Sequence, residues 1–307
     1  MRIGINGSGR MLLAGVEGVL EDMVAAEAAG FSSYWVAQVG LIDALTVIGA
    51  HGDTGSDMRV GTAVISTWER HPHMLAAQAL TTQALIGERL IVGIGVNHQP
   101  EVERSLRLPW HKPVRHMLDY LAILDDLLAT GRASFQGEVW SYDGEAARPS
   151  TGVPQVMIAA LGDQMLKVAG RRADGTILWC VGSRTIRSHI APVINDAAAA
   201  ADRPEPAIVC SIPVWVTDDP APAREFLAAI LAGYATLPSY RAMMDIEGVE
   251  GLGDLSIVGS EQFVRDAIGE LAESGTTDFT PVPMGGNPDE EARTMDVLKA
   301  AMLSGLM

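Results

Sequence analysis

The sequence predicts an α/β fold in which eight β-α units close into a single (β/α)8 barrel of TIM type carrying two insertions. Three observations predict it. Eight short runs rich in β-branched residues are separated by longer helical windows, and that alternation requires a parallel sheet covered by helices. With 307 residues, 48% of them apolar, the chain can bury a large core as one domain spanning 1–307. No Gly-x-Gly-x-x-Gly follows the first run, which weakens the alternative of a doubly wound dinucleotide-binding sheet.

The expected strands are Arg2 to Asn6, Ser33 to Ala37, Arg59 to Ser66, Arg89 to Gly93, Gln155 to Ala160, Gly175 to Cys180, Ala207 to Val216 and Asp278 to Val282. Helical patterns occupy Val16 to Ala29, Pro72 to Ile86, Pro113 to Thr130, Met165 to Arg172, Ser183 to Ala201, Ala221 to Ala235 and Pro288 to Leu303. The alanine-rich stretch Ala197 to Ala201 suits a helix end. His71-Pro72, Asp219-Pro220 and Asn287-Pro288 each set a capping residue before a proline at the first helical position, and Glu290 stands three residues after the last cap. Two stretches break the rhythm. About 132–150 reads as a small extended excursion, and about 234–256, rich in Gly, Pro and Met, precedes Val258-Gly259-Ser260 and a further helix; both are longer than routine loops and read as pocket-building insertions or lids.

A net charge of −16 disfavours nucleic acid and anionic membranes as partners. Two cysteines, Cys180 and Cys210, make no disulfide framework and no Cys-x-x-Cys pair, which fits a reducing cytoplasm. The N-terminus lacks the apolar core of a signal peptide, and no window approaches a membrane span.

In a barrel of this kind the chemistry sits at the carboxyl ends of the strands. Those positions hold Asn6, Gln38, Ser66 to Trp68, Asn97, His98, Ala160 to Met165, Trp179 and Pro281 to Met284. No carboxylate pair is among them, so two-carboxylate glycoside hydrolysis is disfavoured. His71-Pro72-His73 resembles a zinc ligand pair, but the proline makes His71 a cap and sets His73 on the first helical turn, so no metal is expected. His51, His111, His116 and His189 fall in helices or connections and are read as solvated surface. The turn Ala159 to Met165 opens a helix and can offer backbone N–H groups to an anion, or be a routine βα turn. Gly93-Ile94-Gly95 is read as a tight strand exit.

The stretch Ala25-Ala26-Glu27-Ala28-Ala29-Gly30-Phe31-Ser32-Ser33-Tyr34-Trp35-Val36-Ala37-Gln38 resembles the second βα unit of the bacterial luciferase-like oxidoreductases. So do Val60-Gly61-Thr62-Ala63-Val64 before Arg70-His71-Pro72, Gly87 to Gly95, Pro154 to Gly162, and Ala173-Asp174-Gly175-Thr176-Ile177. Within that superfamily the chain is most similar to the branch dependent on the deazaflavin coenzyme F420. That resemblance implies hydride transfer between C5 of the deazaflavin and a small organic substrate, a homodimer, and a non-prolyl cis peptide that falls at Ala63–Val64. It implies a cofactor lying against Asn6, Gln38, Thr62, Ala63, Val64, Gly95, Asn97, His98 and Trp179, with its tail phosphate on the amides of Ala159, Ala160, Leu161, Gly162 and Met165. Several relatives carry acids where this chain has Gln38 and His98. Gln38, a neutral amide, suits hydrogen bonding to the cofactor ring or substrate, and His98 suits either proton donation or positioning. Trp68, Trp179, Met243 and Met244 are either apolar walls of the site or ordinary core. An FMN-dependent monooxygenase on the same fold is the alternative activity, and a non-catalytic cofactor-binding barrel is a third.

Overall fold

The computed structural model describes residues 1–304. Eight parallel strands form the barrel: the first in two halves, Arg2–Ile3 and Ile5–Asn6, then Ser33–Val36, Arg59–Thr62, Leu90–Gly95, Gln155–Ala159, Gly175–Trp179, Ala207–Ser211 and Asp278–Phe279. Its closure lies in the first strand. Arg2 and Ile3 pair with Asp278 and Phe279 on one side, and Ile5 and Asn6 pair with Tyr34 and Trp35 on the other, so the first strand bridges the two ends of the sheet.

The interior is filled by side chains. Trp35, Ile91, Met157, Ile177 and Val209 form one buried cluster with Ala63 and Val64 against it. Gly61 makes room for the largest of them: a Cβ there would stand 2.4 Å from the Trp35 ring. A second, larger core lies between the strands and the surrounding helices. The helix Pro113–Thr130 turns Met117, Tyr120, Leu121, Leu124, Leu127 and Leu128 inward, and each such side chain contributes about 1.5–3 kcal/mol of burial. No helix among the described residues is long and apolar enough to cross a membrane.

The expected boundaries need several corrections. The first helix starts at Ser8, with a break at Gly15, where the sequence pattern places its start at Val16. A helix at Ala44–His51, absent from the reading, is capped by Asp43, whose side chain accepts from Thr46 N. The fourth strand runs on through Gly95, so Gly93-Ile94-Gly95 is strand and not its exit. Asp219 makes no side-chain cap; its own N–H is bound by Thr217 Oγ1 at 3.2 Å. Asn287 does cap, accepting from Asp289 N and Glu290 N, whereas Glu290 reaches past it to Gly286 N, Trp215 Nε1 and Thr217 Oγ1.

Both insertions are structured. Arg132–Gln136 pairs antiparallel with Ser141–Glu145 as a hairpin. The second insertion holds the helices Pro238–Glu247 and Leu252–Leu255. Its Pro and Gly are helix punctuation: Pro238 opens the first of these helices and Gly248, at φ 83°, closes it in the left-handed conformation. Strands seven and eight continue after breaks into Pro213–Val216 and Val282–Met284, and Ile257–Gly259 joins them in a small parallel sheet.

Candidate active site

The ends of strands three, four and five meet at one point. The Ala63–Val64 peptide is cis, and a Cβ on Gly95 would stand 3.0 Å from Val64 Cγ2 and 3.3 Å from Ala159 Cβ. Beneath it Thr62 is fully buried, its hydroxyl donating to Gly93 O at 2.8 Å and accepting from Gly93 N at 2.9 Å. Thr62 thus shapes the floor from below. Asn6 is also occupied: Oδ1 accepts from Ser8 N at 3.0 Å, and Nδ2 donates to Ser211 Oγ at 3.1 Å, which in turn meets Thr280 Oγ1 at 2.6 Å.

His98 stands on the fourth strand's exit, after Asn97 at φ 59°, whose Oδ1 accepts from His98 N at 2.7 Å. Its ring is half-buried, edge-on to Tyr234 and Tyr240, each with its centroid 5.9 Å away. Trp179 lies 6.5 Å from Tyr234, so the two tyrosines join the exits of strands four and six. Burial lowers the His98 pKa below its ordinary 6.5, so the imidazole rests neutral at pH 7. Both tyrosine hydroxyls are pushed up by burial.

Gln38 belongs to a second network. Its Oε1 accepts from Ala44 N at 3.2 Å and from Arg70 Nη2 at 3.1 Å, and Arg70 is ion-paired with Asp43. One end of the amide is therefore fixed, and Nε2 is the end turned away from these bonds.

At the fifth strand's exit Ala160 is buried and Leu161 half-buried. Gly162 is the exposed cap of the helix Asp163–Arg172 and gives it no side-chain bond. The first-turn amides are thus left at the positive end of the helix dipole. His189 Nε2 meets Leu161 O at 2.9 Å and holds the turn from behind. The next helix start differs. There the Glu247 carboxylate accepts from Thr185 N at 2.7 Å and Thr185 Oγ1 at 2.6 Å, and a Cβ on Gly182 would fall 2.2 Å from it.

Several of these groups escaped the sequence reading. Histidines 51, 116 and 189 are not solvated: His116 is fully buried, and the side chains of His51 and His189 are 2% and 18% exposed. His116 falls on the inward stripe of its helix with Met117, Tyr120 and Ile123, and that periodicity is the signal for it. Of the two readings open for Met243 and Met244 the structure gives ordinary core, at 3% and 0% exposure, and Tyr234 and Tyr240 are the rings that stand beside His98. Tyr234 sits on the last turn of the helix Pro220–Ala235, whose pattern is legible, whereas Tyr240 belongs to Pro238–Glu247, where the sequence shows no clear helical period.

The residues present fit a long cofactor with an anionic tail. Trp179 Nε1 is a buried donor without an acceptor among the described residues. The uncapped amides after Gly162 open the helix that follows the neighbouring strand, whose Ala159 pairs with Ile177.

Comparison with known proteins bears on the fold and the family. An F420-dependent glucose-6-phosphate dehydrogenase of Mycobacterium tuberculosis is 28% identical over 221 residues, 66% of each chain. The 5,10-methylenetetrahydromethanopterin reductase of Archaeoglobus fulgidus is 22% identical over 286 residues, covering 90% of this chain and 84% of its own. Among solved structures, the coenzyme F420-dependent tetrahydromethanopterin reductase of Methanopyrus kandleri superposes with a TM-score of 0.80 at 19% identity, over 100% of this chain and 99% of that one. The oxygenating constituent of 3,6-diketocamphane monooxygenase of Pseudomonas putida, solved with FMN, reaches 0.74 at 16% identity over 97% and 96%. These two share the fold. The family model of the luciferase-like monooxygenases matches residues 5–278, and the chain belongs to that family.

Proposed function

We propose that the protein is an F420-dependent oxidoreductase passing a hydride between the deazaflavin C5 and an organic substrate. The observation that carries the reading is the F420 dependence in the names of relatives such as the mycobacterial glucose-6-phosphate dehydrogenase. The geometry supports it. Ala63, Val64 and Gly95 would hold the ring against the mouth of the barrel, and the first-turn amides after Gly162 would hold the tail phosphate. The bound deazaflavin supplies the hydride chemistry, and the protein supplies orientation and electrostatics.

His98 is the group assigned to the proton. Because burial lowers its pKa, the neutral imidazole is the resting form at pH 7 and suits accepting a proton from an alcohol as hydride leaves. In the reverse direction it acts as an acid with an optimum below neutrality. Gln38 would present its amide Nε2 to the ring or substrate, with Arg70 and Asp43 holding the other end. Tyr234 and Tyr240 exclude water around the imidazole.

A luciferase-like monooxygenase using FMN is the second reading, favoured by the FMN-bound neighbour of the same fold. Expression in a host that makes both cofactors, followed by extraction of what remains bound, separates them: F420 in the extract supports the proposal, and FMN alone contradicts it. A cytoplasmic homodimer belongs to the same proposal, and light scattering on the eluted protein tests the dimer.

A further inference from the structure

The segment leaving the third strand carries three buried hydrogen-bonding groups without partners among the described residues: Ser66 Oγ, Trp68 Nε1 and Arg70 Nη1. They occupy every second residue. Thr67 between them is bound to His116 and Gly95 O, and Glu69 is exposed. Native interiors leave few such groups unpaired, because each costs about 1–3 kcal/mol.

These groups are fixed in place. The Trp68 ring lies on the His116 ring with centroids 3.9 Å apart. Arg70 is held through Nη2 by Gln38 and Asp43, and its carbonyl accepts from Tyr120 Oη at 3.0 Å. Ser66 pairs with Gly95, which places it at the rim where Val64, Gly95 and Ala159 meet. A cover lies over the indole: Trp110 is 5.7 Å from Trp68, on a stretch that carries two non-glycine residues in the left-handed region, Arg107 at φ 57° and Lys112 at φ 48°.

The chemistry of the set defines what it takes. An indole N–H and a guanidinium only donate, and the serine hydroxyl can donate, so the matching groups are acceptor oxygens. The Arg70 charge is already offset by Asp43, so no full negative charge is called for. We propose that Ser66, Trp68 and Arg70 form a substrate-recognition edge for an uncharged organic molecule rich in acceptor oxygen, a carbonyl being the best match. The word substrate rests on the function proposed above; the binding chemistry does not.

The test uses the purified chain without added cofactor and three probes on one six-carbon ring: cyclohexanone, cyclohexylammonium and cyclohexanecarboxylate, titrated by ligand-observed NMR. Cyclohexanone is expected to bind at least fivefold more tightly than either ion. Trp68→Phe keeps the ring and loses the N–H, and Ser66→Ala loses the hydroxyl; each is expected to weaken cyclohexanone at least fivefold with the thermal transition retained. An ammonium or carboxylate probe that binds as tightly as the ketone overturns the proposal, as does wild-type cyclohexanone affinity in both variants. F420 titrated into the same sample keeps the two readings apart. Failure of F420 with the ketone preference intact removes the cofactor assignment only.

Discussion

Trp140 Nε1 donates to His116 Nδ1 at 3.1 Å, and this bond fixes the protonation of a buried imidazole. Nδ1 must be an acceptor, so the proton sits on Nε2 and is given to Thr67 Oγ1 at 2.9 Å, which donates onward to Gly95 O at 3.2 Å. The hairpin insertion is thereby tied to the exits of strands three and four. Burial pushes the His116 pKa down to about 4, so the neutral form is the folded form.

The first prediction is the pH dependence that follows. Between pH 6.5 and 4 the unfolded chain binds a proton that the folded chain refuses, so stability is full above 6.5 and declines as pH falls toward 4. For His116 the loss at pH 5 is about 2 kcal/mol. His116→Phe should lower stability at pH 7 by about 1–3 kcal/mol, because Trp140 and Thr67 lose their partner, and should flatten this part of the pH profile. Urea unfolding at pH 7 and pH 5 measures both, and an unchanged slope in the variant contradicts the assignment.

The second concerns Glu247. Its carboxylate occupies the amides at Arg184 and Thr185, at 3.3 and 2.7 Å, and so pins the helix Pro238–Glu247 to the sixth βα turn. Glu247→Ala removes a charged cap and should cost about 1–2 kcal/mol. The effect should be local: hydrogen exchange in 234–255 speeds up while exchange in the barrel strands holds. Uniform acceleration across the chain would show that the contact does not act as a local latch.

The eight strands are legible in the sequence because each is a short β-branched run buried on both faces, and a parallel strand in a covered sheet has no solvent side to break the run. The small sheet is different. Ile257–Gly259 has only three residues, too few to show a period, and in the sequence it looks like the lead-in to a helix. The helix Ala44–His51 follows an ordinary Asp43 cap, but its apolar residues are nearly continuous and so carry little helical stripe. The site was half legible. Gly95, Val64 and Ala159 come together at the strand ends, whereas the tyrosines beside His98 arrive from two helices distant in sequence, Tyr234 from the end of Pro220–Ala235 and Tyr240 from Pro238–Glu247, and nothing local ties either to His98.

The third prediction is for His98. His98→Gln keeps a hydrogen-bonding group and removes the titrating proton, so hydride transfer in a single turnover should slow at least tenfold with F420 affinity retained. In the wild type the reductive rate should rise as pH falls below 7, toward the lowered pKa of the imidazole. A variant with the wild-type rate and profile would assign the proton to solvent.

The fourth addresses the tail phosphate. Gly162 has φ −85°, close enough to proline's range for Gly162→Pro to fold, and the substitution deletes one N–H at the helix start. F420 should bind at least fivefold more weakly at an unchanged melting temperature. Unaltered affinity would move the phosphate away from this turn.

Side-by-side fluorescence titration of the purified chain with F420 and with FMN decides between deazaflavin and flavin. F420 is expected to bind at least tenfold more tightly, a difference of about 1.4 kcal/mol. Equal affinities, or FMN binding where F420 does not, would contradict the choice of deazaflavin.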